Sequence, residues 1–428
     1  MLPMNPRFDR TQIEGVLREV VETLAPIDRT PCSAGEREAA DWLAKRLRSV
    51  DGVKVTLEDE PSWGIFPPTA VALGALGGAG ALLVMGGRRA GALLAAVGMA
   101  GIVDEAQNGP RVVRRLLRRR RQTVNLIARV EPPGAEVGDS RVVDGSVGQP
   151  GTLVVLAHHD APQSGLLFDQ SLQRKLHKLA PKLMGRTKTP PPQWWIGLAG
   201  PVCTIAGAVL GRPRLGRAGL AIGALGMAMV ADVWRNATVQ GANDNLSGVA
   251  SLVALAELLR ESPLGGVRVM LVSCGAEETL QDGIRAFMAR HRHELPPERT
   301  WFVNLDTVGS PHLVMLEAEG PVWMERYPGL WLRDLLADSA QRLSVGLERG
   351  FRARSSTDSV IPARAGYPIA TLVSITDWRT PANYHLPSDV PANLDYGTVA
   401  DATRVVYDVA QQLAAGGDRA GRAPLHAV

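Results

Sequence analysis

Two stretches of this chain restrict its architecture more than any other feature. Residues 69–103 and 194–234 are rich in Ala, Gly and Leu and almost free of charge, except at a short midpoint in each. The midpoints are Gly86-Gly87-Arg88-Arg89 and Arg212-Pro213-Arg214-Leu215-Gly216-Arg217. Each stretch therefore reads as a hairpin of two apolar helices. Arms of roughly 14 to 20 residues would extend about 21 to 30 Å, close to the hydrocarbon thickness of a bilayer. The longer arms are long enough to cross, and the 90–103 arm is the shortest. Glycines at small-xxx-small spacing, Gly74/Gly78 and Gly219/Gly223, would let such helices approach closely. Trp63 precedes the first hairpin, and Trp194, Trp195 and Trp234 bracket the second, so all four would sit at one membrane interface, on the side of the remaining chain. The competing reading is a set of buried core helices built from small residues.

The rest of the sequence has a different texture. Short β-branched runs occur at 53–58, 123–130, 152–157, 267–273, 301–305 and 369–374, with helical patterns such as 246–260, 330–342 and 396–414 among them. This alternation predicts an α/β fold, a sheet covered by helices on both faces. Near the start, an amphipathic helical pattern is followed by Ser33 and Glu36 in capping-box spacing, which opens a second helix toward Val50. The expected organisation is a catalytic α/β domain in three pieces, 1–60, 122–165 and 239–414. The first apolar hairpin with its basic segment (61–121) and a basic amphipathic segment with the second hairpin (166–238) interrupt it, and a disordered tail (415–428) follows.

With 47 basic against 43 acidic residues the net charge is only +4, too mild to predict nucleic-acid binding. Basic residues are nonetheless concentrated in Arg111, Arg114, Arg115 and the run Arg118 to Arg121, a local feature suited to an anionic partner. Cys32, Cys203 and Cys274 form neither a disulfide framework nor a Cys-x-x-Cys zinc spacing, and residues 1–25 have no secretory signal pattern. A reducing compartment is expected.

Chemistry concentrates where strands end. Ala157-His158-His159-Asp160 follows the run 152–157, Gly275-Ala276-Glu277-Glu278 follows 267–273, Asp306 follows 301–305, and His385 lies in a loop after 369–374. In an open α/β sheet, ligands gather at the carboxyl ends of strands. Adjacent glutamates at such a junction can point apart, so that one holds a metal and the other takes a proton from an activated water. Asp244, within Gly241-Ala242-Asn243-Asp244-Asn245-Leu246-Ser247-Gly248, stands where a helix cap is also expected. His159, His177, His291, His293, His312 and His426 lack strand-end partners and read as structural, and Cys274 reads as the end of a buried strand.

Taken together, AHHDA, GANDNLSGVA, GAEE, NLDTVG and YHLPSD resemble, in order, the motifs of the zinc aminopeptidases, whose wider relatives include glutamate carboxypeptidase and the glutaminyl cyclases. The resemblance covers the chain outside the two apolar insertions. It implies a mixed central sheet and two zinc ions: Asp244 bridging them, His158 and Asp306 completing one, Glu278 and His385 the other. Glu277 would be the general base, Asp160 would orient His158, and the substrate would be a peptide. Three carboxylates and a bridging hydroxide would offset two Zn²⁺. A single zinc on Asp244, Glu278 and His385, as in the cyclase branch, would also be neutral. Tyr384 before the last histidine favours hydrolysis, since cyclases resemble Trp-His there. The family's x-Gly-Leu-x-Gly-Ser after its paired glutamates is here Thr279-Leu280-Gln281-Asp282-Gly283, and its Ser-Asp-His is Thr357-Asp358-Ser359. These departures bear on specificity rather than on metal binding.

The resulting expectation is a membrane-associated zinc aminopeptidase in contact with membrane lipid, its catalytic domain on the cytoplasmic side of the inner or plasma membrane. A cyclase-type acyl transferase and a catalytically silent scaffold are the rivals. Because the second hairpin separates His158 from Asp244, the membrane should lie near the substrate's point of access. The cationic amphipathic segment 173–188 would lie on an anionic lipid surface.

Overall fold

A nine-stranded mixed sheet organises the protein, and its order brings distant parts of the sequence to one edge. The structure, a computed structural model, describes residues 10–134, 150–190 and 192–416. Most of the predicted tail and the first nine residues lie outside these. Along the chain run α1 (Arg10–Leu24), α2 (Ala34–Arg48), β1 (Val53–Ser62), α3 (Pro67–Met85), α4 (Gly91–Ala106), α5 (Val112–Leu117), β2 (Arg121–Val130) and β3 (Gly151–His158). Then follow α6 (Ser171–Leu179), α7 (Pro181–Met184), α8 (Trp195–Leu210), α9 (Pro213–Arg235), α10 (Ser247–Glu261), β4 (Val267–Cys274), α11 (Asp282–His291), β5 (Thr300–Leu305), β6 (His312–Glu319) and β7 (Glu325–Arg326). The last elements are α12 (Leu330–Arg342), β8 (Leu347–Ala353), α13 (Val360–Arg364), β9 (Ile369–Ile375) and α14 (Tyr396–Ala415).

The sheet order is β1-β2-β4-β3-β5-β9-β6-β7, with β8 also on β6. Its centre, β4-β3-β5-β9, is parallel, while β1, β2 and β6 join antiparallel. Both faces are buried, so strand residues alternate between two cores rather than between core and water. In β3, Leu153, Val155 and Ala157 join the core under α1, α10 and α14, whereas Val154 and Leu156 join the one against α11. The expected runs all became strands. The sequence reading missed β6, β7 and β8, which extend the sheet beyond β9.

Both apolar stretches are helical hairpins, α3–α4 and α8–α9, and they pack against each other as a four-helix bundle. Each leaves the α/β body through a closed neck. Ser62 pairs with Arg121 at the end of the β1–β2 ladder, and Gln163 bridges Thr238. Glycines make the crossings. A Cβ on Gly80 would lie 2.5 Å from the Gly91 carbonyl oxygen, one on Gly98 2.7 Å from that of Leu73, and one on Gly200 2.8 Å from the Gly223 nitrogen. Of the pairs singled out by spacing, Gly74 and Gly219 are tight, against Met227 and Thr204, Gly78 is in ordinary contact distance of Leu220 and Met227, and Gly223 has open space. Among the described residues, α3 and α9 are the two helices long and apolar enough to cross a membrane.

Two local expectations need correction. Ser33 does cap α2, accepting from the Glu36 N–H at 3.1 Å, but the Glu36 carboxylate does not return to Ser33. It accepts instead from the N–H groups of Cys32 (3.0 Å) and Ala276 (2.8 Å) and the Thr123 hydroxyl (2.9 Å), tying α2 to the loop before Glu277. The basic cluster after α4 is also less available than its sequence implies. Arg111 and Arg114 are buried: Arg111 pairs with Asp282 at 2.8 Å, Arg114 pairs with Glu105, and both donate to the Thr279 carbonyl. A buried guanidinium needs such partners. The base of the first hairpin thereby grips the loop that carries Glu277 and Glu278.

Candidate metal centre

Because β3, β4 and β5 run parallel, their carboxyl ends open on one edge of the sheet. This alignment brings His158, the Glu277-Glu278 turn and Asp306 to the wall of a single cleft, where Asp244 also lies. Asp244 precedes α10 in a turn with non-helical backbone, and its peptide bond to Asn245 is cis. Its backbone N–H donates to Asp389 Oδ2 at 3.1 Å, and that of Asn243 donates to Asp389 Oδ1 at 2.7 Å. Asp389, the last residue of YHLPSD, therefore holds the Asp244 turn, a role the motif alone did not indicate. His385 arrives from the loop after β9.

The donor atoms converge. His158 Nε2 lies 3.3 Å from Asp244 Oδ1, and His385 Nε2 lies 3.1 Å from Asp244 Oδ2 and 3.5 Å from Glu278 Oε1. Donor atoms of His158, Asp244 and Glu278 all fall within 4.8 Å of one another. Yet Asp244 Oδ2 and His385 Nε2, both buried, make no hydrogen bond of acceptable geometry. Buried polar atoms in native proteins normally have partners, so two orphans facing each other across a cluster of carboxylates mark a place for a cation. The residues fit a metal. Asp244 presents one oxygen to each histidine, the arrangement a bridging carboxylate requires.

Asp160 does more than was expected of it. Its carboxylate lies 3.5 Å from His158 Nδ1, and it also accepts the backbone N–H groups of Glu277 and Glu278, each at 3.0 Å. One buried residue thus sets the position of a candidate ligand and of the whole glutamate turn. Glu277 Oε1 receives a 2.5 Å hydrogen bond from Gln281 Nε2, whose second acceptor is the Ser356 carbonyl. Sequence reasoning passed over Gln281, seeing it only as part of a departure from the family pattern.

Electrostatics follow from crowding acids in a dry site. Desolvation raises Glu277 and Glu278 well above the carboxylate range, with neighbouring Asp306, Asp358 and Asp244 adding to it and His158 opposing it. Asp306 and Asp358 are pushed to about 7 by the same burial. Burial alone would lower His158, but Asp160, Asp244 and Glu277 hold it well above the usual imidazole value. Asp244 runs the other way: burial would raise it, and the two histidines outweigh that and lower it. A divalent cation relieves this repulsion directly. Elsewhere, His159 is buried against the Ser273 hydroxyl at 2.9 Å and lowered to about 4 by desolvation, as befits a structural residue. Cys274 is buried with its thiol raised by the same cause.

Residues 227–410 match the model of peptidase family M28. This segment is therefore similar to the M28 peptidases. Theirs is the family that the motifs resemble, and the matched span holds Asp244, Glu277, Glu278, Asp306 and His385. The fold is similar to that of the aminopeptidase from Aneurinibacillus sp. strain AM-1, with TM-score 0.53 and 15% identity over 94% of this chain and 96% of that one. It is similar also to a glutaminyl cyclase from an Acidobacteriales bacterium, with TM-score 0.52 and 12% identity over 96% and 97%. LapB from Legionella pneumophila gives TM-score 0.52 and 11% identity over 97% of this chain and 76% of that one. These likenesses are of fold. No curated protein matches.

The second insertion contributes to the cleft itself. Phe168, just before α6, stacks on His385 with ring centroids 4.1 Å apart, and Leu167, Gln193, Ile196 and Met229 share the cleft with Glu277 and Glu278.

Proposed function

We propose that this protein is a membrane-associated zinc metallopeptidase of the aminopeptidase type, holding two ions. The observation that carries the reading is the Asp244 carboxylate, with one oxygen toward His158 and the other toward His385. In this reading Asp244 bridges, His158 and Asp306 complete one ion, and Glu278 and His385 the other. Zinc there would polarise the scissile carbonyl and acidify the attacking water. Glu277 takes the proton of that water and delivers it to the leaving amine. Gln281 fixes the Glu277 carboxylate by donating to Oε1. Asp160, through the two amides, keeps Glu277 and Glu278 in register with His158.

One specific observation favours the single-zinc cyclase alternative: His385 is close to both Asp244 and Glu278, so these three can hold an ion without Asp306. Aminoacyl reporter substrates, assayed beside release of ammonia from peptides with N-terminal glutamine, separate the two. Hydrolysis without ammonia release is expected, and ammonia release alone would overturn the peptidase reading. A silent scaffold would not need the whole donor set.

Membrane association rests on what the bundle exposes. Leu93 is 68% exposed and Val209 70%, and Leu82, Val97, Val202, Leu210 and Leu225 are exposed as well. A soluble protein rarely leaves so much apolar surface on adjoining helices. Beside the bundle, α6 and α7 bury no residue and expose Leu172, Leu176, Leu179 and Leu183 next to Arg174, Lys175, Lys178 and Lys182. That combination suits a segment lying on an anionic lipid surface. The cations on the domain side outnumber those at the tips, Arg88, Arg89, Arg212, Arg214 and Arg217, which favours a cytoplasmic catalytic domain. Protease protection in sealed vesicles tests the orientation. Cleavage of the catalytic domain only from the exterior side would reverse it.

A further inference from the structure

The metal centre opens into a second, apolar space that peptide hydrolysis alone does not call for. From Glu277, Glu278 and His385 a cleft of about 1190 Å³, counting the part open to solvent, runs in among α3, α8 and α9. Its bundle end is walled by glycines and apolar side chains, among them Gly78, Ile196, Pro201, Gly223 and Met229. Polar groups stand only toward the other end: the site residues, with Gln193, Gln281, Ser355, Ser356 and Tyr384. Depth follows from helix rise. Gly78 lies 11 residues beyond Pro67, and Gly223 lies 12 residues before Arg235. With Gly219, 16 residues before Arg235, also on its wall, the cleft extends about 16 to 24 Å from the domain end of the bundle, past one leaflet's share, about 15 Å, of the hydrocarbon thickness. Some glycines of this wall have room on the side where a side chain would stand, even where their backbone, as at Gly223, lies against a neighbouring helix. A Cβ on Gly223 would meet nothing within 4 Å, and one on Gly78 would make only ordinary contacts, with Leu220 at 3.7 Å and Met227 at 4.0 Å. Their missing side chains leave space rather than close a crossing.

The polar end supplies an independent sign of a ligand. Gln281 is 2% exposed, its amide nitrogen is spent on Glu277 and Ser356, and its Oε1, in the same cleft wall, accepts from nothing. A buried carbonyl oxygen in that position fits an N–H donor. Resting on the hydrolase part of the reading above and going beyond its aminopeptidase specificity, we propose that the site also takes N-acyl amides, a long unbranched acyl chain joined to the amine of an amino acid or peptide. The chain occupies the glycine-walled cleft, the amide N–H meets Gln281 Oε1, and the carbonyl faces the metal ligands. The reaction consumes one water: its oxygen bonds to the acyl carbon, the C–N bond breaks, and the amine leaves with a proton delivered by Glu277. The products are a fatty acid and a free amine.

Two measurements test this. With the zinc-loaded protein in detergent, N-acetyl-, N-octanoyl- and N-hexadecanoyl-leucine should be cut with kcat/KM rising steeply with length, by up to about fourfold per buried methylene. Gly223→Leu, and separately Gly78→Val, should cap that rise at shorter chains while N-acetyl-leucine is unaffected. In metal-stripped protein, a fluorescent long-chain fatty acid should bind, and Gly223→Leu should weaken binding at least about tenfold. This arm needs no catalysis, so intact binding that Gly223→Leu weakens, with no turnover of any substrate, would support the cleft and count against the hydrolase reading instead. Turnover independent of chain length, or binding unchanged in both variants, would overturn the proposal.

Discussion

The α/β body and the helical bundle solve burial in opposite ways. In the body, large apolar residues such as Leu153, Leu156 and Phe302 are fully buried, and the buried charged groups include the carboxylates and histidines of the site along with paired residues such as Arg29 and Glu36. In the bundle, glycines such as Gly80, Gly98 and Gly200 face inward, where backbones cross, and many leucines and valines, Leu93 and Val209 among them, face outward, while Leu73 and Val84 are buried. The first pattern is driven by water. The second is expected where the surroundings are as apolar as the side chains and close packing supplies the cohesion. The site lies where the two meet, with ligands from the body and walls from the bundle.

The largest effect that could break this picture is at the body's charged centre. Asp244→Ala would remove the ligand proposed to be shared by both ions, so metal content by plasma mass spectrometry should fall from two equivalents and activity should vanish. Retention of two equivalents would place the bridge elsewhere. Glu277→Gln should keep the metal and lose at least about a hundredfold in kcat, the scale of a general base. Full turnover with bound zinc would remove Glu277 from that role.

Packing predictions sharpen the contrast at the level of a few kcal/mol. Leu156→Ala in the body should cost about 2 to 5 kcal/mol by cavity formation. Gly98→Leu should also destabilise, by about 1 to 3 kcal/mol through overpacking, because its Cβ would lie 2.7 Å from a backbone oxygen. Leu93→Ser, on the outer face of the same hairpin, should leave the unfolding temperature in detergent unchanged and weaken retention in membranes. A large loss of detergent stability in Leu93→Ser would mean that this face packs on protein.

The smallest effect concerns the seam between the regions. Glu348 binds Arg379 at 2.6 Å and also pairs with Lys188, just after α7, and these partners lower its pKa to about 2. A carboxyl depressed in the folded state stabilises above its unfolded pKa of about 4.5 and loses that contribution as pH falls toward 2. Hydrogen exchange across residues 171–188 should therefore speed up as pH drops through this window, after correction for intrinsic rates, and Glu348→Gln should remove the dependence. Unchanged protection in the wild-type protein would detach the segment from Glu348.

Much of this was legible in the sequence, for identifiable reasons. Strand-end acids and histidines stand beside continuous apolar runs, so parallel order alone predicts their convergence, and uncharged Ala/Gly/Leu arms broken by arginines announce hairpins. β6 and β8 were harder to read: β6 is interrupted by Glu317 and Glu319, and β8 begins Leu347-Glu348-Arg349-Gly350, which lacks a β pattern. The partners of Arg111, Arg114, Gln281 and Glu36 lie 75 to 240 residues away in the decisive contacts, and no local spacing encodes such pairs. Nor does spacing distinguish a glycine that closes a crossing, such as Gly98, from one that leaves a cleft, such as Gly223.

The central claim, that converging ligands at the mouth of an apolar bundle hold two catalytic zinc ions, is tested most directly by titrating zinc into metal-stripped protein while following hydrolysis of an aminoacyl reporter. Activity should be absent without metal and reach its plateau at two equivalents per chain. Hydrolysis that persists without metal, or a protein that binds zinc and never gains activity on any amide, would contradict it.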